Sequence, residues 1–333
     1  MGRNISRRIT SVLVLHSLLW LSCSSSPPRG QSEQEGPFRI RYSAGPAGGV
    51  GILDVARERG LLERENLEIE FLHGDQHYQP IMDRLEDATA DMAQNASSHA
   101  LIRIEQDIDM VIFMGGRMGV SNVLLAQPEL KGYSDLKGKK IGCSGLTGQD
   151  CFIMRRMMAR NGIKESEFEI VYGFNTMARY YALQNREIDA TIFSSPARMD
   201  PNDNFTQVDH APKYVPEKFQ FSVAMARRSW AEANRDILVR FIRVYVETLD
   251  WISQPENKTA AVELIARLGG TDITAAEQRL INLINRQNPK ARIDMEGLQA
   301  VMENLAEFDV LPQPIPPIEK YVDLSYYREA IRE

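Results

Sequence analysis

Residues 135–172, DLKGKKIGCSGLTGQDCFIMRRMMARNGIKESEFEIVY, restrict the fold more than any other stretch of this chain. They predict a short strand from Lys140 to Cys143, a turn of small residues from Ser144 to Gly148, a helix ended by Gly162, and a second strand from Phe168 to Tyr172. This is a βαβ unit, whose strands must be parallel. The first amide groups of a helix lack internal partners and carry partial positive charge. Gly145 and Gly148 let backbone approach a bound group there. Taken alone, a glycine-rich loop more often only tightens a connection.

An earlier echo changes that balance. In RIRYSAGPAGGVGILDVARERGLLERENLEIEF an alternating strand (Phe38, Ile40, Tyr42) meets a Gly/Ala turn (Gly45 to Gly51). A helix stopped by Gly60 and a strand with Leu67, Ile69 and Phe71 follow. Leu85 with Asp91 then repeats 98 residues later, with the same spacing, as Leu183 with Asp189. Two similar α/β halves, each ending its strands in small polar loops, predict a cleft between lobes.

The 333 residues are enough for two lobes, each with a core of its own. Residues 1–22 stand apart from that fold as a signal peptide, with Arg3, Arg7 and Arg8 ahead of an apolar run from Ile9 to Trp20. The run is too short to span a bilayer. Cys23, after Leu21-Ser22, resembles the acylated cysteine of bacterial lipoproteins, although Trp20 stands where that pattern has Leu. Residues 23–36 are rich in Ser, Pro and Gln and read as a flexible tether. Removal of 1–22 takes Lys plus Arg from 39 to 36 against 45 acids, so the net charge moves from −6 to −9. No basic run remains to hold a phosphate backbone, which argues against a nucleic-acid partner.

Two cysteines remain, Cys143 and Cys151. In an exported chain they can close a disulfide around the glycine-rich turn, or each can serve as a buried apolar residue. Eight residues apart and without nearby histidines, they match no zinc spacing, and no metal site is expected.

Taken in order, the loop after the second strand offers Gln76 and Tyr78 to a ligand, while His73 and His77 are read as local hydrogen-bonding residues. A short strand from Asp91 to Gln94 leads to Asn95-Ala96-Ser97-Ser98, with Ser97 as the helix N-cap. Met110 to Met114 make an apolar strand, broken by Gly115-Gly116-Arg117-Met118-Gly119. Residues 115–126 then cross to the second lobe, the glycines supplying hinge freedom. Arg117 is either a ligand cation or an exposed loop charge. Phe174 either stacks on a planar ligand or packs. Ala190 to Phe193 form a strand ending at Ser194-Ser195-Pro196. The return crossing is KFQFSVAMARRSW, with Phe219, Phe221 and Val223 alternating. After Asn234 the chain reads as helical, with Ile237, Phe241, Tyr245 and Ile252 as one stripe.

The stretch DLKGKKIGCSGLTGQDCFIMRRMMARNGI, with IDATIFSSP behind it and KYVDLSYYREA near the end, resembles the periplasmic solute-binding proteins of bacterial ABC importers. The nearest branch is the one that includes sulfonate, taurine, nitrate and thiamine-pyrimidine-precursor binders. The resemblance implies an α/β, two-lobed periplasmic-binding-protein fold of type II with two crossing segments and a helical C-terminal part on lobe one. Lobe one would take 37–118 with 225–333, and lobe two 119–224. It further implies contacts at Gly48 and Gly49, at Gln76, at Asn95, Ser97 and Ser98, along Ser144, Leu146, Thr147, Gly148 and Gln149, and at Asn175, Ser194 and Ser195. Tyr78, Met118, Leu146 and Phe174 would accept an apolar or aromatic portion.

The expected function is capture of a small organic anion or pyrimidine-like heterocycle by a monomeric lipoprotein, anchored through Cys23 outside the cytoplasm. An ABC permease and its ATPase would be the partners, and no cofactor is implied. Two alternatives are an enzyme resembling fungal thiamine-pyrimidine synthase and a lipoprotein presenting ligand to a sensor. Catalytic motifs give the first no support. Gly142-Cys143-Ser144-Gly145 is followed by Leu146 where G-x-S-x-G needs Gly, and neither G-x-x-x-x-G-K-[ST] nor H-E-x-x-H occurs.

Overall fold

The computed structural model describes residues 36–44, 50–73, 79–173, 175–194, 199–285 and 287–332. The signal-peptide and tether expectations, Cys23, Gly48, Gly49, Gln76, Tyr78, Phe174 and Ser195 lie outside these residues. Residues 37–333 form one compact unit.

The first half follows the expected order. Strand β1 (Phe38–Ala44) runs through α1 (Ile52–Glu58) and α2 (Leu61–Arg64) to β2 (Leu67–His73). The two strands are parallel from Phe38↔Leu67 to Ala44↔His73. Helix α3 (Gln79–Glu86), β3 (Met92–Ala96), α4 (Ser97–Glu105) and β4 (Val111–Gly115) complete it. The second half holds β5 (Val123–Ala126), β6 (Lys140–Gly142), α5 (Gln149–Arg160), β7 (Glu169–Val171), α6 (Thr176–Gln184), β8 (Ala190–Phe193) and β9 (Thr206–His210). The chain then returns through β10 (Ser222–Ala226) into α7 (Arg228–Ala233), α8 (Arg235–Ser253), α9 (Lys258–Gly269), α10 (Ile273–Asn285), α11 (Met295–Ala306) and α12 (Ser325–Ile331).

The two five-stranded sheets have matching orders, β2-β1-β3-β10-β4 and β7-β6-β8-β5-β9. In each, the strand delivered by a crossing segment is the antiparallel one, β10 beside β3 and β4, and β5 beside β8 and β9. The sequence echo is a structural register. The Asp91 amide donates to the Arg41 carbonyl, and its carboxylate accepts from the Arg41 amide at 2.8 Å. Asp189 makes the same pair with Lys140, also with a 2.8 Å carboxylate contact. Each aspartate thus pins the start of a central strand to its neighbour.

Helices α8, α9, α10 and α12 cover the first sheet, where Tyr42, Phe113, Phe241 and Tyr245 meet in one core. Burial of each such ring contributes roughly 1.5–3 kcal/mol. Helix α11 differs, because its Leu298, Val301, Met302 and Leu305 join a cluster that also holds Leu101 of α4 and Phe152 and Met154 of α5. That helix therefore backs both halves.

Three local readings are corrected. Ser97 opens α4 as its first residue, after Ala96, and its hydroxyl donates to the Gln220 carbonyl at 2.6 Å instead of capping. Strand β10 is buried throughout, because it lies between β3 and β4, so no polar alternation survives. Gly115 and Gly116 answer close packing more than hinge freedom. A Cβ on Gly115 would run into the Arg292 carbonyl, and one on Gly116 would sit 2.6 Å from Ser222 Oγ and 2.7 Å from Gln94 Nε2. Gly119, with φ of +66°, is where the crossing needs a left-handed residue.

Candidate functional site

Parallel strands of both sheets end at one cavity of about 230 Å³. The first half contributes Gln94, Asn95 and Ala96 from the end of β3, with Ile81 and His99 from the helices beside it. The second contributes Ser144 after β6, Gln149 and Asp150 at the start of α5, Thr176 on α6 and Ser194 after β8. Arg117, Asn122, Phe221 and Ser222 come from the crossings, and Gln287 from the C-terminal part.

Of the sequence candidates, Asn95, Ser144, Gln149 and Ser194 reach this lining. The others that are described lie elsewhere. Leu146 is 73% exposed, and Met118 bridges to Gln220. Asn175 caps α6 by accepting from the Ala178 amide at 2.8 Å. Ser98 and Thr147 bond each other across the two halves at 2.7 Å. Gly148 serves packing, since a Cβ there would overlap Ser144 Oγ and lie 2.8 Å from Asp150 Oδ1.

The electrostatic centre is Asp150. Its Oδ2 accepts from Arg179 Nη2 at 2.8 Å, and Arg179 is fully buried, bonding also to Thr191 Oγ1 and the Ile192 carbonyl at 3.2 Å each. Asp150 Oδ1 accepts from the Cys151 amide at 3.0 Å and from Ser144 Oγ. The amino end of α5 therefore carries its own anion. Ser144 and Gly148, expected to cradle a ligand anion, instead hold and make room for this carboxylate.

Carboxamides form most of the remaining polar wall. Gln94 is fixed from behind, since Tyr42 donates to its Oε1 at 3.4 Å and Tyr245 bonds it too. Burial pushes the Tyr245 hydroxyl up to about 12, so it stays protonated. By contrast Asn95 Nδ2, Asn122 Nδ2 and both amide atoms of Gln149 have no hydrogen-bond partner among the described residues, although all three side chains are over nine-tenths buried. Gln287 Oε1 is likewise unpaired. Each such group costs roughly 1–3 kcal/mol while unpaired, so the wall favours something that satisfies them.

His99 lies beside Asp150. Burial first, and then Arg103, push its imidazole down to about 4 against an opposing pull from Asp150, so it is neutral at pH 7. Arg117 sits 4.8 Å from the centre of the Phe221 ring and forms the cationic wall. Cys143 and Cys151 are joined in a disulfide, Cα atoms 5.4 Å apart, and their sulfurs are buried. Among the described residues no three His, Cys, Asp or Glu side chains gather to hold a metal ion.

The profile of the NMT1/THI5-like family matches residues 50–258. The chain belongs to that family. No curated protein matches the sequence. Among solved structures, the fold is shared with the ligand-binding component of an ABC-type import system from Staphylococcus aureus, which has zinc bound. The TM-score is 0.70 at 14% identity, over 89% of this chain and 100% of that one. It is shared with the alkanesulfonate-binding protein SsuA from Xanthomonas axonopodis pv. citri, bound to MOPS, at a TM-score of 0.66 and 16% identity, over 86% and 99%. The desulfurization enzyme DSZB also has it, at 0.61 and 13% identity, over 89% and 99%. The chain thus has the two-lobed fold of periplasmic binding proteins, the fold implied by its sequence.

Arg117, by sequence a ligand cation or a loop charge, lines the cavity. Asn122 and Asp150 line it too and carry no sequence signal of their own. Nothing in the sequence placed Phe221, Ser222 or Gln287 at the same cavity.

Proposed function

We propose that this chain is the solute-binding lipoprotein of an ABC importer, exported and anchored through Cys23, which captures a small planar molecule bearing N–H donors and passes it to a permease. Within the two ligand classes expected from sequence, a pyrimidine-like heterocycle suits the cavity better than a sulfonate. The observation that carries this choice is Asp150, a carboxylate already seated at the amino end of α5 and lining the cavity. Gln149 supports it, because both ends of its amide need partners. Exchanging its O and N leaves one donor and one acceptor to satisfy, so an acceptor-only sulfonate meets half the demand. The Arg117–Phe221 wall suits the face or an electron-rich edge of a ring.

Against the enzyme alternative stand the cysteines, tied in a disulfide, and Ser144, whose hydroxyl donates to a carboxylate already ion-paired with Arg179. The test is native mass spectrometry of what co-purifies, with a thermal-shift series of aminopyrimidines against alkanesulfonates of similar size. Aminopyrimidines are expected to raise Tm. A response to sulfonates alone would overturn the ligand assignment.

A further inference from the structure

Loop 143–151 does two things at once. Ser144, Gln149 and Asp150 line the cavity, whereas Thr147, between them, turns to the opposite half. Its carbonyl accepts from Ser98 Oγ at 2.7 Å and its Oγ1 lies 2.8 Å from His99 Nδ1. Ser98 and His99 are buried residues of the first turn of α4, and His99 itself lines the cavity. The disulfide ties the two ends of the loop, and Gly148 bonds back to the Gly145 carbonyl at 2.9 Å within it. The ring so formed is a short rigid unit.

We propose that Thr147 is a closure latch: carried on this disulfide-tied ring, it joins Ser98 and His99 across the cavity mouth and draws the two halves together through protein contacts that involve no ligand. The inference rests on the reading of the chain as a two-lobed binder. Thr147 is a positioning residue in this scheme. It keeps Gln149 and Asp150 on the same cavity as Asn95 without itself lining it. The latch offsets part of the cost of the unpaired wall, so the closed form is more populated in the unliganded wild type than in a latchless variant, and the solute supplies the rest.

The test uses the full chain with co-purified solute removed by partial unfolding and dialysis. Radius of gyration from small-angle scattering is compared for wild type, Thr147→Ser, Thr147→Val, and Thr147→Val with Ser98→Ala. One neutral hydrogen bond is worth roughly fivefold in the closed-to-open ratio and two roughly thirtyfold. Without solute, the wild type and Thr147→Ser should be the most compact of the four, Thr147→Val more expanded, and the double variant most expanded, all with native near-ultraviolet dichroism. Curves that superimpose for folded wild type and Thr147→Val would overturn the latch. No solute enters the measurement, so its failure leaves the ligand assignment standing, and a failed ligand screen leaves the latch standing.

Discussion

Replacement of Arg179 by Met should be among the most damaging single changes in the second half, for an electrostatic reason rather than a packing one. Met keeps most of the buried volume but removes the guanidinium that faces Asp150 Oδ2 at 2.8 Å. The two side chains are 1% and 10% exposed, so solvent screens the pair little. Loss of one member of a buried pair costs about 3–5 kcal/mol, because the remaining charge stays uncompensated. Asp150 retains the Cys151 amide and the Ser144 hydroxyl and borders the cavity, which places this case near the lower end, about 3 kcal/mol. Asp150→Asn should cost a similar amount, since Arg179 then loses the carboxylate that balances its charge. In the double variant neither charge is left, and its loss should fall at least about 2 kcal/mol short of the sum of the singles. Urea unfolding of the four proteins at pH 7 measures the cycle. Additivity within about 0.5 kcal/mol would refute the claim that Arg179 is retained to neutralise Asp150.

Other perturbations probe the same wall. His99, pushed down to about 4 from an ordinary value near 6.5, favours the neutral form in the native state, so the unfolded chain takes up the proton first as pH falls. Its contribution is complete above about pH 6.5 and is lost between there and pH 4, with a slope near 1.4 kcal/mol per unit and a total of about 3 kcal/mol. Arg103 and Asp150 are the charges that face it. His99→Gln should flatten that part of the profile, and equal slopes for the two proteins would exclude the assignment. Gln149→Leu should leave stability equal or higher by about 1 kcal/mol, because it deletes two unpaired polar atoms, yet weaken solute binding at least tenfold by calorimetry. A variant that binds normally would remove Gln149 from the site. Cys143→Ala with Cys151→Ala should cost roughly 2–3 kcal/mol for so short a ring, read by urea unfolding against the oxidised wild type.

What could be read from the sequence depended on how local the cause was. The paired βαβ units were legible because turn glycines, strand alternation and the Asp91 and Asp189 echo are short-range features, and the parallel strand pairs that such units require are present in both sheets. Asn95, Ser144, Gln149 and Ser194 were reachable through one topological rule, that parallel strands present their carboxyl ends to a ligand. The rule is silent about side chains that turn away. Ser97 and Ser98 at the start of α4 and Thr147 in the loop after β6 lie at such strand ends, but Ser97 is engaged by the Gln220 carbonyl, Ser98 by the Thr147 carbonyl and the Thr147 hydroxyl by His99. Phe221, Ser222 and Gln287 reach the cavity only because the crossings and the C-terminal part fold back onto it, a long-range outcome with no sequence period. The reason for Gly115 likewise lies 177 positions away, at the Arg292 carbonyl.

Asp150 shows how a sound general rule can mislead at one position. A helix amino end favours an anion by about 0.3–2 kcal/mol, and α5 follows a glycine-bearing turn of the kind that binds one. Here the favoured anion is the second residue of the helix itself. A further anion about 4 Å away would meet a repulsion on the order of 4 kcal/mol at an effective dielectric of 20, larger than the dipole can return. Arg179 offsets part of that repulsion, yet its guanidinium is already shared among Asp150, Thr191 and the Ile192 carbonyl. The cavity is therefore graded, with hydrogen-bond acceptance strongest at the α5 end and positive charge at the Arg117 wall. On the proposed reading, a bound solute places its N–H edge toward Asp150 and its electron-rich edge toward Arg117, and an ion of uniform negative charge fits only one end.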